Sequence, residues 1–197
     1  MRSLTIRLLA SLLIAPLTFW LVPAGAALAQ EKDRREDRPT PLQIVALDEC
    51  DPATFNAVLG PDFCKNVALA FVTPFATTFT ELFDEAARGH PDPAWDFEPD
   101  RVTIEKGTPL IVVDQGGEPH TFTEVAKFGG GFVAGLNGGQ APVPECAAGF
   151  KDVAVARTRI LQGSQLQVTG LSKGKHLFQC CIHPWMHVTV DVKDDVK

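Results

Sequence analysis

Apolar and polar positions follow three regimes along the chain. Residues 8–22 are almost continuously apolar and follow Arg2 and Arg7. Between 42 and 94 apolar residues recur at three- and four-residue spacing, and beyond Pro93 they alternate with polar ones in short runs bounded by glycine. The middle regime predicts helices. Asp51-Pro52 supplies a cap and a proline at the first helical position, with Phe55 to Leu59 continuing the turn. Thr78 to Arg88 carries Phe79, Leu82, Phe83 and Ala86 on one face, with Gly89 as the stop. The last regime predicts strands at 101–105, 110–113, 121–125, 153–160, 165–169, 176–180 and 188–192. Many short strands with glycine turns between them predict an all-β sandwich, with residues 42–94 as a small helical N-terminal extension and 95–197 as the main domain.

The first 29 residues read as a secretory signal, with Ala27-Leu28-Ala29 as the cleavage site and Gln30 as the first mature residue. Fifteen apolar residues interrupted by Pro16 fall short of the roughly 20 that span a bilayer, so no stable membrane insertion is expected. A periplasmic or secreted location follows. Residues 30–41, densely charged and closed by Pro39 and Pro41, read as a disordered tether. The whole chain has a net charge of -6, and loss of Arg2 and Arg7 leaves 16 basic against 24 acidic residues, or -8. That balance excludes nucleic-acid binding and suits a basic partner. All five cysteines lie in the exported part, where disulfides persist, and an odd number leaves at least one thiol unpaired. Cys50 and Cys64 bracket the first helix; a bridge between them would close a 15-residue loop, a constraint valued at about 3 kcal/mol.

The candidate chemistry sits in Phe178-Gln179-Cys180-Cys181-Ile182-His183-Pro184-Trp185-Met186-His187, between two predicted strands. The spacing C-x2-H-x2-M gathers a thiolate, an imidazole and a thioether in one loop, and His120, just past the apolar run 110–113, could add a second imidazole. Two imidazoles, one thiolate and a weak thioether are the donor set of a blue-copper electron-transfer site. Strand parity favours Cys180 over Cys181, because Cys180 shares a side with Phe178 and His176. Cys181 could then pair with Cys146, although spacing alone does not decide the connectivity. Cys181 and His187 remain alternative ligands, and Cys180, Cys181, His183 and His187 could form a zinc site by type. The glycine-rich insert 129–139 lacks the Gly-Lys-Ser/Thr ending of a P-loop and reads as a long ordered loop beside the site. Asp114 and Glu124 make no convincing general acid and base pair, and no enzyme is expected.

Three features in order resemble the cupredoxin superfamily: Val102-x-Ile104-x-x-Gly107 leading to Val113-Asp114, then Glu118-Pro119-His120, then Gly174-x-His176-x-Phe178-x-Cys180-x-x-His183-Pro184-x-Met186. The last is similar to the ligand loop of amicyanin. The resemblance covers roughly the last hundred residues. It implies a Greek-key sandwich holding one type 1 copper ion, with His120, Cys180 and His183 equatorial and Met186 axial. It further implies a carrier of single electrons whose redox partner would be a basic cytochrome or dehydrogenase, and a His183 near the surface in an apolar patch with Pro184 and Trp185. Asp114 departs from the asparagine common in the family. A copper-delivery protein is the alternative, although no methionine-rich tract is present, as is a zinc-binding or structural module.

Overall fold

Leu42-Gln43-Ile44-Val45-Ala46-Leu47 turns alternate side chains inward, with Ile44 and Ala46 fully buried. In the computed structural model, which describes residues 39–65 and 76–194, this run is strand β1 (Leu42–Leu47). It lies inside a sheet of order β2-β1-β4-β8, antiparallel to β2 (Asp96–Glu98) and parallel to β4 (Leu110–Asp114), with Leu42 opposite Leu110 and Ala46 opposite Asp114. β8 (Gln165–Val168) closes the far edge. The second sheet has the order β3-β10-β9-β6, from β3 (Arg101–Glu105), β10 (His187–Lys193), β9 (Gly174–Gln179) and β6 (Thr123–Val125). β5 (His120–Thr121) and β7 (Arg159–Ile160) form a short separate pair.

The two four-stranded sheets share one core. Ile44, Phe97, Leu110 and Val112 from the first pack in one buried cluster with Val102, Ile104, Phe178, Val188, Val190 and Val192 from the second. Each such side chain contributes about 1.5–3 kcal/mol by leaving water. The expected all-β sandwich is what forms.

Both predicted helices form. Asp51 caps α1 (Pro52–Leu59) by accepting N–H bonds from Ala53 and Thr54. Thr78 and Glu81 make a reciprocal capping box at the start of α2 (Phe79–Ala87). The ring of Phe55 meets Phe79 edge-on at 5.3 Å and stacks over Trp95 at 6.3 Å, which seats both helices on the core. The expected Cys50–Cys64 bridge is present and ties the end of the α1 turn to the chain just after β1.

Two expectations about elements need correction. Residues 42–94 are not purely a helical extension: they begin with a strand interior to a sheet, and the compact unit runs from Arg38 to Lys197. Pairing on both sides with β2 and β4 overrides the ambiguous pattern of a six-residue apolar run. The alternating run 153–160 is a short helix, α3 (Val153–Arg157), followed by β7. Asp152 accepts the Ala154 N–H as its cap and so turns an apparent strand into a helix. The expected secretory signal and most of the charged tether lie outside the described residues. Among the described residues no helix is long and apolar enough to cross a membrane.

Candidate metal centre

β9 delivers its chain to a tight loop at one end of the sandwich, and β10 takes it away. The loop is closed by the Cys180 N–H donating to the Met186 carbonyl at 3.1 Å and the Met186 N–H donating to the His183 carbonyl at 3.1 Å. β5 runs alongside: the Cys181 N–H donates to Thr121 Oγ1 at 2.7 Å, which fixes the loop against the strand that starts with His120. The glycine-rich insert lies next to it, with the Phe132 N–H donating to the Cys181 carbonyl. A side chain at Gly131 would put its Cβ 2.1 Å from that carbonyl oxygen, so only glycine permits the approach. Gln179, fully buried, holds the insert through both Gly129 N–H and Gly129 carbonyl.

These contacts gather His120, Cys180 and His183, all buried, with their donor atoms within 4.8 Å of one another. Cys180 Sγ lies 3.9 Å from Nδ1 of His120 and 3.9 Å from Nδ1 of His183. The backbone N–H groups of Thr121 and His183 also point at the sulfur, each at 3.4 Å. Met186 is fully buried in the same cluster as Cys180. Cys181 bridges to Cys146, leaving Cys180 as the one free, buried cysteine. The zinc set that needed Cys181 therefore lacks a thiolate. His187 stacks on Phe128 with ring centroids 3.9 Å apart and stands outside the cluster. His176 pairs with Glu124 at 2.6 Å, and His90 is exposed.

Two residues absent from the expected set complete the site. The Nε2 atom of His120 lies 2.9 Å from Asp48 Oδ2, and that of His183 lies 3.3 Å from Glu118 Oε2. Asp48 follows β1 directly, and the Gly116-Gly117-Glu118 turn wraps its carboxylate: Gly117 and Glu118 donate N–H bonds at 2.9 and 3.0 Å. A Cβ on Gly116 would fall 1.9 Å from Asp48 Oδ2. The paired glycines were the sequence signal for this cradle; nothing in the local pattern marked Asp48 itself. Glu118 also accepts the Trp95 indole N–H at 2.9 Å.

Buried charges here compensate one another. Burial alone would depress His120, but its bond to Asp48, its bond to Cys180 and the charges of both hold it well above its ordinary value. For His183, burial is likewise outweighed, by the charge of Glu118 and the bond to Cys180, and its value rises to about 9. Burial would raise the Cys180 thiol, yet its bonds to His120 and His183 and their charges bring it well below the ordinary range, which favours the thiolate, the form that binds a metal. Asp114, with Oδ2 buried and without a partner among the described residues, is pushed up to about 7, chiefly by burial.

The resemblance placed His183 near the surface, and that expectation is wrong: the residue is 1% exposed. The rings of Trp95 and Trp185 lie 6.2 and 5.6 Å from it. A cavity of about 200 Å³, lined by Phe55, Phe79, Leu82, Phe132 and Ile182 among others, reaches His183 from the helical side. Trp95 packs beside His183, and α1 and α2 line the cavity that reaches it. Pro184 is buried and Trp185 half-buried.

No protein-family model matches the chain, and no curated protein sequence matches it. Among solved structures it is similar to a purple cupredoxin from Nitrosopumilus maritimus, at 14% identity and a TM-score of 0.38, over 77% of this chain and 99% of that one. It is also similar to a Cu(I) form of an amicyanin mutant, at 15% identity and a TM-score of 0.33, over 50% of this chain and 73% of that one. A reduced amicyanin mutant aligns at 16% identity with a TM-score of 0.32 over the same shares.

The donors themselves decide what the site suits. A thiolate with two imidazole nitrogens is too soft for magnesium or calcium, and fits copper or zinc. Both histidines turn the same nitrogen, Nδ1, toward one sulfur while the other nitrogen is held by a carboxylate, the usual way of orienting a metal-bound imidazole.

Proposed function

We propose that this chain is an exported mononuclear type 1 copper protein that carries single electrons between redox partners. His120, Cys180 and His183 would hold the ion, with Met186 as a weak axial ligand. The observation that carries this reading is the convergence of two Nδ1 atoms on one buried thiolate, each at 3.9 Å. Bound there, copper supplies a one-electron couple between its +1 and +2 states. The protein's own part is to hold its ligands still: the loop hydrogen bonds, the Cys146–Cys181 bridge beside Cys180 and the bond to Thr121 all restrict rearrangement between oxidation states. Water is kept from the thiolate by full burial. Because His183 is covered, the half-buried Trp185, whose ring is 5.6 Å from the imidazole, is the nearest ring of the loop through which a partner would couple. The acidic chain, at -6, would steer a basic redox protein toward it. Voltammetry of the protein loaded with one copper equivalent tests the reading. A single reversible one-electron wave supports it, and a redox-inert complex contradicts it.

The burial of His183 favours one second reading, a copper-holding protein without an electron-transfer partner. That reading predicts copper retention with electron exchange to small basic redox proteins too slow to compete with solution reductants. Stopped-flow mixing with a basic cytochrome separates the two.

A further inference from the structure

Asp48 has no lone pair left to offer a second ion. Its Oδ1 accepts the N–H groups of Cys50 at 3.2 Å and Gly117 at 2.9 Å, while Oδ2 accepts the N–H of Glu118 at 3.0 Å and faces His120 Nε2 at 2.9 Å. With about four acceptor sites on a carboxylate, all are used. The cluster of Asp48, Asp114 and His120 is therefore an anchor for the imidazole and not a second metal site. Glu118 does the same for the other histidine, with Oε2 shared between the Trp95 indole N–H at 2.9 Å and His183 Nε2 at 3.3 Å. Neither arrangement depends on solvent, because Asp48, Glu118 and both imidazoles are buried.

We propose that Asp48 and Glu118 are positioning residues that lock both histidines with Nε2 protonated and Nδ1 free to bind, and that their two buried negative charges favour the +2 over the +1 state of the bound ion. This rests on the copper reading above. The tautomer follows from the acceptors: a carboxylate takes a proton bond from Nε2–H and offers none back, so in the neutral imidazole that binds a metal the lone pair lies on Nδ1. The bias follows from charge. A thiolate and two carboxylates place three anions around one ion, and in a water-free site the more highly charged oxidation state gains more from each.

The two carboxylates give separable tests. Glu118→Gln keeps an oxygen for both the indole and the imidazole and removes only the charge. Asp48→Asn cannot: whichever way its amide is turned, the NH2 faces two donors, the Cys50 and Gly117 N–H groups at one position or the Glu118 N–H and His120 Nε2 at the other. The measurement is the reduction potential of the copper-loaded protein, with Glu124→Gln, on the exposed side of β6, as the control. Glu118→Gln is expected to bind copper and to shift the +2/+1 equilibrium at least tenfold toward +1, a rise of 59 mV for one electron. Asp48→Asn is expected to weaken copper binding by 10- to 100-fold. In the wild-type Cu(I) form, which is diamagnetic, proton–nitrogen spectra should show slowly exchanging Nε2–H signals for both His120 and His183. An unchanged potential in copper-loaded Glu118→Gln overturns the proposal while leaving the copper reading intact, whereas an Nδ1–H signal at either histidine in the wild type overturns the proposal and removes that imidazole from the ligand set. A wild-type protein that takes up no copper overturns the copper reading and the proposal with it.

Discussion

The Cys180 sulfur is shut away from water, and two backbone N–H groups donate to it while the Nδ1 atoms of two imidazoles face it. Behind the imidazoles stand Asp48 and Glu118. Asp114 is outside this scheme. It bonds the Gly116 N–H through Oδ1 and leaves Oδ2 buried without a partner among the described residues. Its value moves from 3.8 to about 7, so between those limits the folded protein binds more protons than the unfolded chain. Stability therefore falls as pH rises through that window and the full cost is present above it. Asp114→Asn should raise the stability of the metal-free protein at pH 8 by about 2–4 kcal/mol and change it little near pH 4. Urea melts at the two pH values measure this; an equal effect at both would show that ionisation is not the cause. At this scale the loop spacing singled out Cys180, His183 and Met186, and the position of His120 past the apolar run 110–113 singled it out; the structure brings His120, Cys180 and His183 together. Asp48 was not singled out, because its role depends on a contact 72 residues away in sequence.

Strand β9 shows how an element can support the site from outside it. His176 reaches across to Glu124 of β6 at 2.6 Å and also bonds the Ser172 carbonyl at 2.8 Å. The Glu124 bond raises the His176 value, so the stability it adds is fully present below the unfolded value and is lost as pH climbs through the folded one. Glu124 is half exposed, which keeps the contribution below about 1 kcal/mol. Glu124→Gln should lower the melting temperature near pH 5.5 and leave it unchanged near pH 9; a loss of equal size at both would make the pair a packing contact only. Elements differed in how far their patterns announced them. α1 and α2 carried caps and a stop, and β3 a clean alternation, so each was readable. α3 was hidden because Val153-Ala154-Val155-Ala156 alternates by size, while the Asp152 cap that makes it a helix is a single residue. β1 was hidden because its evidence is the pairing with β2 and β4, not its own six residues.

For the whole molecule, the segment before Trp95 is structural and functional at once. β1 is an inner strand, the Cys50–Cys64 bridge braces the chain beside it, Asp48 anchors His120, and α1 and α2 line the cavity that reaches His183. A fragment of residues 95–197 alone would leave β2 without its partner strand, β4 paired only with β8, and an unmet imidazole at the site. It should fail to show a cooperative unfolding transition, whereas a folded, metal-binding fragment would contradict the account of β1. The covering shelters His183, and the half-buried Trp185 ring lies 5.6 Å from it.

Cys180, with His120 and His183, is proposed to form a type 1 copper site. This is tested most directly by adding one equivalent of Cu(II) to the protein and to Cys180→Ser, and recording visible absorption and electron paramagnetic resonance. The expected result is an intense thiolate-to-copper charge-transfer band in the wild type that bleaches on reduction and is missing from the variant. A colourless wild type, or a band that survives in Cys180→Ser, would contradict it.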